Sequence, residues 1–286
     1  MKFFILAGGY GKRAEPLSLI KPKAVFPLNG VPLLRLLLKQ LRAQGCREGF
    51  VNLHHLAEQV EQAAGEEGGI DFISEKELSG SMVLRQALPF FSDWLLVVNG
   101  DTFLEIPLSA LVQKTADPAV DGVLLTRHDP SGRYGHLRSP GDVFLDVSPP
   151  GHGPGLMYAG AALFRRKAIE KIDSVNFFSS ITRRRLHFKT VFYNGIWLDI
   201  GTPESYLHAN EQYRAHVGER SANSLSADVT ISPRARVENS VLWEHTRLGE
   251  GVSLSECIVT GHVSLENVTL QKRIITRQGI FPLQAG

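Results

Sequence analysis

"ILAGGYGKRAEPLSLIKPKAVFPLNG", residues 5–30, decides how this chain reads. The segment leaves a short apolar run, "KFFIL" (2–6), and enters a loop where Gly8, Gly9 and Gly11 leave the backbone bare. Glycine accepts backbone angles that other residues resist and lets a ligand approach the main chain closely. Lys12, Arg13, Lys21 and Lys23 place positive charge beside that backbone, so the expected ligand is a phosphate. A Walker loop requires G-x-x-x-x-G-K-[ST], and the segment has no match. Gly9, Gly11 and Ala14 satisfy the loose G-x-G-x-x-A dinucleotide pattern, but that loop must open a helix at once. Pro16 and Pro22 interrupt such a helix. The acidic residue that the pattern wants at the end of the next strand is also missing from "VNLHH" (51–55).

Outward from the loop, strand-like and helix-like segments alternate through the first two hundred residues. Leu33, Leu34, Leu37, Leu38 and Leu41 fall on one helical face, with Pro32 suited to the first turn and Gly45 to the stop. "GFVNLHH", "IDFIS" and "WLLVVNGD" read as strands, while "LAEQVEQAAG" and "MVLRQAL" read as helical. Such alternation predicts an α/β fold: a Rossmann-like, mostly parallel mixed sheet flanked by helices. After residue 120 the pattern becomes richer in strands, and Thr202 with Pro203 opens the helix "PESYLHANEQYRAH".

The polar, aperiodic stretch "VGERSANSLSAD" (217–228) marks a domain boundary, dividing the chain into 1–217 and 218–286. Repeats follow it. Ile231, Leu248 and Leu265 are evenly spaced, as are Val241, Ile258 and Ile275. Val237 and Leu254 keep the same step before Gln271 breaks their column. Aliphatic ladders at hexad steps resemble the left-handed parallel β-helix of hexapeptide-repeat proteins, whose stacked coils bury what one repeat cannot. His245 and His262 share a column there, which suits plain stacking or the acetyl transfer of other hexapeptide-repeat proteins.

With 286 residues and a formal net charge of +2, the chain has room for two domains and lacks the basic excess of a nucleic-acid binder. The run "TRRRLHFK" (182–189) reads as a solvated face. Two cysteines, Cys46 and Cys257, give no disulfide framework. The first apolar run is too short for a signal peptide, and no stretch nears the ~18 apolar residues of a membrane helix. A cytoplasmic protein without a membrane or nucleic-acid partner is expected.

The longer run "LAGGYGKRAEPLSLIKPKAVFPLNGVPLL" resembles the L-A-x-G-x-G-x-R…P…P-K…P signature of the sugar-phosphate nucleotidyltransferases. With "VNLHHLAEQVEQ", "LVVNGD" and "WLDIGTPESYLHAN", the likeness is nearest to bacterial mannose-1-phosphate guanylyltransferase-like members and their hexose-1-phosphate uridylyltransferase relatives. It covers nearly the whole chain. It implies an enzyme that joins a nucleoside triphosphate to a sugar 1-phosphate and releases pyrophosphate. It also implies that Leu6, Ala7, Gly8, Gly9 and Gly11 lie along the nucleotide, with Arg13 and Lys23 as catalytic cations. Asp101 in "NGD" and Asp199 in "W-x-D-x-G-T" match the family's positions for binding Mg²⁺.

The stretch "EKELSGSMVLRQAL" resembles the family's E-x-x-L-G-T-A-G-A-L, which reads the base; Glu77 and Gly80 are carried over from it. "RYGHL" and "YAGAALF" place Gly135 and Gly160 against the sugar. One feature departs from the pattern. Many relatives carry a sugar-phosphate lysine before the Y-x-G strand, whereas this chain reads "DVSPPGHGPGLMYAG" without one. Arg138 and Arg165 are the candidate substitutes. That loss keeps a second expectation open, a regulatory subunit of the same fold that binds nucleotide sugars without making them. Self-association through the solenoid is expected to be open to such a chain.

Overall fold

The computed structural model describes residues 1–65, 68–151 and 153–283. The chain forms two compact units. One comprises Met1–Gly9, Leu38–Gly100 and Leu104–Trp197; the other comprises Tyr10–Leu37, Asp101–Phe103 and the chain from Leu198 onward.

The first unit is built on a seven-stranded sheet. Its order is Phe188–Phe192, Gly122–Asp129, Gly155–Arg165, Trp94–Asn99, Lys2–Leu6, Gly49–Leu53 and Ile70–Ser74. Every neighbouring pair is parallel except those made by Gly155–Arg165, which runs against both of its neighbours. This is the mostly parallel mixed sheet that the alternation predicts. Phe3, Phe4 and Ile5 are fully buried, as are Leu95 to Val98, the continuous apolar burial of strands covered on both faces. Val83, Leu84 and Ala87, from the 3₁₀ segment Gly80–Phe90, pack with Phe4, Phe50, Phe164 and Phe188 in one core.

The strand Gly155–Arg165 is irregular where it passes Gly122–Asp129. Tyr158 pairs with Thr126 but Ala162 pairs with Leu124, so a bulge falls between them. Gly160, at φ +98°, lies inside that bulge and supplies the backbone freedom it needs.

In the second unit the glycine loop does not open a smooth helix. Gly11 turns left-handed at φ +67°, then a single 3₁₀ turn covers Lys12–Ala14 and a short helix covers Leu17–Ile20. Another 3₁₀ turn begins at Lys23. The helix Pro203–His216 starts as its sequence suggests: Thr202 accepts the Ser205 N–H, and Ser205 answers to the Thr202 N–H.

From Ser224 the strands stack in three sheets, the three faces of a β-helix, parallel throughout except for the last strand, Gly279–Pro282, which runs antiparallel to Arg273–Thr276. Ile231 pairs with Leu248 and Leu248 with Leu265, as the spacing predicts. The other two columns differ from the sequence reading. Leu254 pairs with Leu270, and Ile258 with Ile274 rather than Ile275. Between Leu265 and Leu270 the turn is one residue shorter than between Leu248 and Leu254. The column of Val237 and Leu254 therefore continues at Leu270 instead of breaking at Gln271. Left-handed turn residues recur at Asp228, His245 and His262, whose positions repeat with the coil. The two histidine rings stack at 4.6 Å between centroids.

The coils are tied to the signature segment within this unit. Trp243 is fully buried and donates from Nε1 to Tyr206 Oη (3.0 Å), which donates to Pro27 O (2.7 Å). Phe26 packs on both rings, at 5.1 and 5.5 Å. Lys21 bonds Glu244 at 2.8 Å while lying over the Trp243 ring. Burial pushes the Glu244 carboxyl up, but the hydrogen bond and charge of Lys21 outweigh it and hold the group below its ordinary value. Both cysteines are buried free thiols, and Arg183 and Arg184 of the basic run clasp Asp173.

Candidate active site

Ligands of open α/β sheets gather beyond the carboxyl ends of the strands. In the first unit that edge carries Leu6, Leu53 and Asn99. The loop leaving Leu6 is held by a side chain that the motifs do not reveal. Asn52 is buried, and its Oδ1 accepts from Ala7 N (2.7 Å) and Gly8 N (3.2 Å). Its Nδ2 donates to Glu75 Oε2 at 2.6 Å. The other Glu75 oxygen takes the Ser79 N–H (3.0 Å) and hydroxyl (2.6 Å). His54 Nδ1 donates to the Glu75 carbonyl at 2.9 Å. A Cβ on Gly8 would stand 2.7 Å from Asn52 Nδ2, so this contact needs glycine. Glu75 and Asn52 thus tie the start of the glycine loop to the turn at Ser79. Glu77 is exposed, whereas Glu75, two residues earlier in the same stretch, is the buried acid.

This network predicts a separable effect. Asn52→Leu leaves two amides and a buried carboxylate without their partner, each a loss of about 1–3 kcal/mol. We expect the KM for the triphosphate to rise about tenfold, with a smaller change in kcat and a lowered melting temperature. Steady-state kinetics and calorimetry check this.

In the second unit the remaining signature residues come together. Lys23 forms an ion pair with Asp101, their side chains 13% and 35% exposed. Arg13 is exposed on its 3₁₀ turn. A Cβ at Gly201 would stand 3.0 Å from Asp199 Oδ1 and 3.3 Å from Arg13 Nη2, which sets the guanidinium and the carboxylate against the same backbone. Gly201 N donates to Asp199 Oδ1 at 3.0 Å. The strand Trp197–Asp199 pairs with Thr102–Leu104, which starts one residue after Asp101. Two signature cations and two acids from three separate stretches of sequence therefore belong to one unit.

Among the described residues no group of three or more His, Cys, Asp or Glu side chains forms a metal cage. Magnesium does not need one. It takes one or two carboxylates and completes its octahedron with substrate phosphate oxygens and water. The carboxylates of Asp101 and Asp199 are donors of the kind it takes.

The residues that precede the positions carried over for the sugar meet around one side chain. Trp197 Nε1 donates to Ala159 O (2.9 Å), the carbonyl before Gly160. Tyr134, the residue before Gly135, sits edge-on to the Trp197 ring at 5.6 Å. Gly80 is held in a left-handed turn at φ +58°, where a Cβ would meet Val175 O at 2.4 Å.

The chain is similar to several known proteins. The N-acetylmuramate alpha-1-phosphate uridylyltransferase of Neisseria meningitidis is 29% identical over 221 residues, spanning 71% of this chain and 94% of that protein. Mannose-1-phosphate guanylyltransferase 1 of Arabidopsis thaliana is 24% identical over 307 residues, spanning 96% of this chain and 82% of its own. The crystal structure of HddC from Yersinia pseudotuberculosis complexed with GMP-PN superposes with a TM-score of 0.65 at 25% identity, over 74% of this chain and 99% of that one. Residues 3–174 match the MobA-like NTP transferase domain family, and the chain belongs to that family.

Proposed function

We propose that this chain joins a nucleoside triphosphate to a sugar 1-phosphate, giving a nucleoside diphosphate sugar and pyrophosphate, in the manner of a mannose-1-phosphate guanylyltransferase. The gathering of Arg13, Lys23, Asp101 and Asp199 in one unit, directly after the glycine loop, carries the reading. The family and the sugar-phosphate relatives support it.

In the reaction an oxygen of the sugar phosphate attacks the α-phosphorus. The new bond is oxygen to α-phosphorus, and the bond from α-phosphorus to the bridging oxygen breaks, so the electron pair leaves with pyrophosphate. Both reactants are anions, so positioning and charge neutralisation supply most of the catalysis. Loop amides from Ala7 to Gly11 would line the triphosphate, their start fixed by Asn52. Arg13 and Lys23 would offset the charge that builds on the leaving pyrophosphate. Asp101 and Asp199 would hold Mg²⁺, which when bound neutralises and orients phosphate oxygens. Glu77 and Gly80 are assigned to the base, and Gly135 and Gly160 to the sugar. None of the helices is long and apolar enough to cross a membrane, among the described residues; a cytoplasmic location is part of the proposal.

A panel of GTP, UTP and dTTP against mannose, glucose and N-acetylmuramic acid 1-phosphates tests the reading. Pyrophosphate release together with the mass of the nucleoside diphosphate sugar reports it. We expect one base and one sugar to stand out, with GTP and mannose 1-phosphate the favoured pair. No release from any pair would rule out transfer.

A further inference from the structure

We propose that Arg127 is the cation that receives the phosphate of the sugar 1-phosphate in this chain, an inference that rests on the nucleotidyl-transfer reading. The stretch before Gly160 supplies no lysine, and neither expected substitute is placed for the task. Arg138 is exposed and pairs with Asp146. Arg165 is in register with Trp94, the first residue of its strand, and donates to Pro118 O. It therefore lies at the amino edge of that strand, away from Asn99.

Arg127 lies at the other edge. The strand Gly122–Asp129 runs opposite to Gly155–Arg165, which in turn runs opposite to Trp94–Asn99, so the ends at Asp129 and Asn99 point the same way. The Arg127 guanidinium stacks over the Trp197 ring at 4.8 Å. That indole also bonds the carbonyl before Gly160 and meets the ring before Gly135. The residues that precede both glycines assigned to the sugar thus contact the ring on which the cation rests.

The chemistry of the guanidinium is unfinished. Its Nη1 is buried with no hydrogen-bond partner among the described residues. The nearby Asp129 does not claim it: Oδ1 takes Ser131 N (2.9 Å) and Oγ (2.6 Å), and Oδ2 takes Tyr134 N (3.0 Å). A buried donor without an acceptor is costly, and native proteins rarely leave one so. A stacked guanidinium with open N–H groups is the group suited to a phosphate monoester, which it can grip through two oxygens at once.

The test is calorimetric titration of mannose 1-phosphate and glucose 1-phosphate into the full chain, with triphosphate affinity measured separately. Arg127→Met keeps the stem on Trp197 and removes the charge; Arg127→Gln repeats the test if the Met variant melts. We expect sugar 1-phosphate affinity to fall about tenfold or more while triphosphate affinity stays within about twofold. Arg127→Lys should recover part of the loss. Unchanged sugar 1-phosphate affinity in the Met and Gln variants overturns the assignment. So does an equal loss for both ligands, which would mean a structural role, and so does a wild type that binds no sugar 1-phosphate. If the wild type releases no pyrophosphate yet the variants lose sugar 1-phosphate affinity, transfer fails and the Arg127 assignment stands.

Discussion

Asp101→Asn will lower pyrophosphate release on the order of a thousandfold while leaving the fold nearly intact. The asparagine keeps an oxygen that can accept from Lys23, so the partly buried pair loses charge but not its hydrogen bond. What disappears is one of the two carboxylates assigned to the divalent ion. The variant should melt within a few degrees of the wild type, and its loss should appear in kcat more than in sugar 1-phosphate KM. A coupled pyrophosphate assay beside a thermal melt separates these effects. Wild-type turnover in the variant would remove Asp101 from the metal site.

Trp243→Ala will give the opposite signature. Its ring is fully buried between Phe26 and Tyr206, and its Nε1 donates to the Tyr206 hydroxyl. Removing a buried tryptophan side chain costs about 3–5 kcal/mol through lost burial and the cavity left behind. At about 2–4 °C per kcal/mol, the melting transition of the second unit should fall by roughly 10 °C. Tyr206 would keep its bond to Pro27 but lose the indole N–H, and Lys21 would lose the ring beneath its ammonium. Turnover well below the lowered melting temperature should change far less than in Asp101→Asn. Differential scanning calorimetry with activity measured at low temperature checks this; an unshifted transition would contradict the packing role.

Much of this was legible in the sequence because it is written in short, local patterns. The alternation of strands and helices predicts the mixed sheet, and the Thr202–Pro203 pair predicts its helix to the residue. The coil ladder is legible in outline. Its last turn is not, because an even spacing hides the one-residue deletion that moves Ile274 and Leu270 into the columns.

The site divides along the same line. Arg13, Lys23, Asp101 and Asp199 sit in residue patterns whose chemistry can be named. Asn52 sits one residue before the end of its strand with no local signal, and only folding brings it to the amides of Ala7 and Gly8, forty-odd residues away in the chain. A reading based on neighbours in sequence cannot see that acceptor. Glu75 and Glu77 are two residues apart and alike in charge, but the E-x-x-L spacing to Leu78 and burial both single out Glu75. Arg127 looks like one more charge on a strand until Trp197, seventy residues later, is found beneath it.

The central claim is that a triphosphate on the glycine loop and two distant aspartates share one divalent ion. Manganese titration followed by electron paramagnetic resonance tests it most directly, with a non-hydrolysable analogue of the preferred triphosphate present. One tightly bound ion per chain that needs the nucleotide is expected, weakened about tenfold or more in both Asp101→Asn and Asp199→Asn. Equal manganese affinity in the wild type and both variants would contradict it.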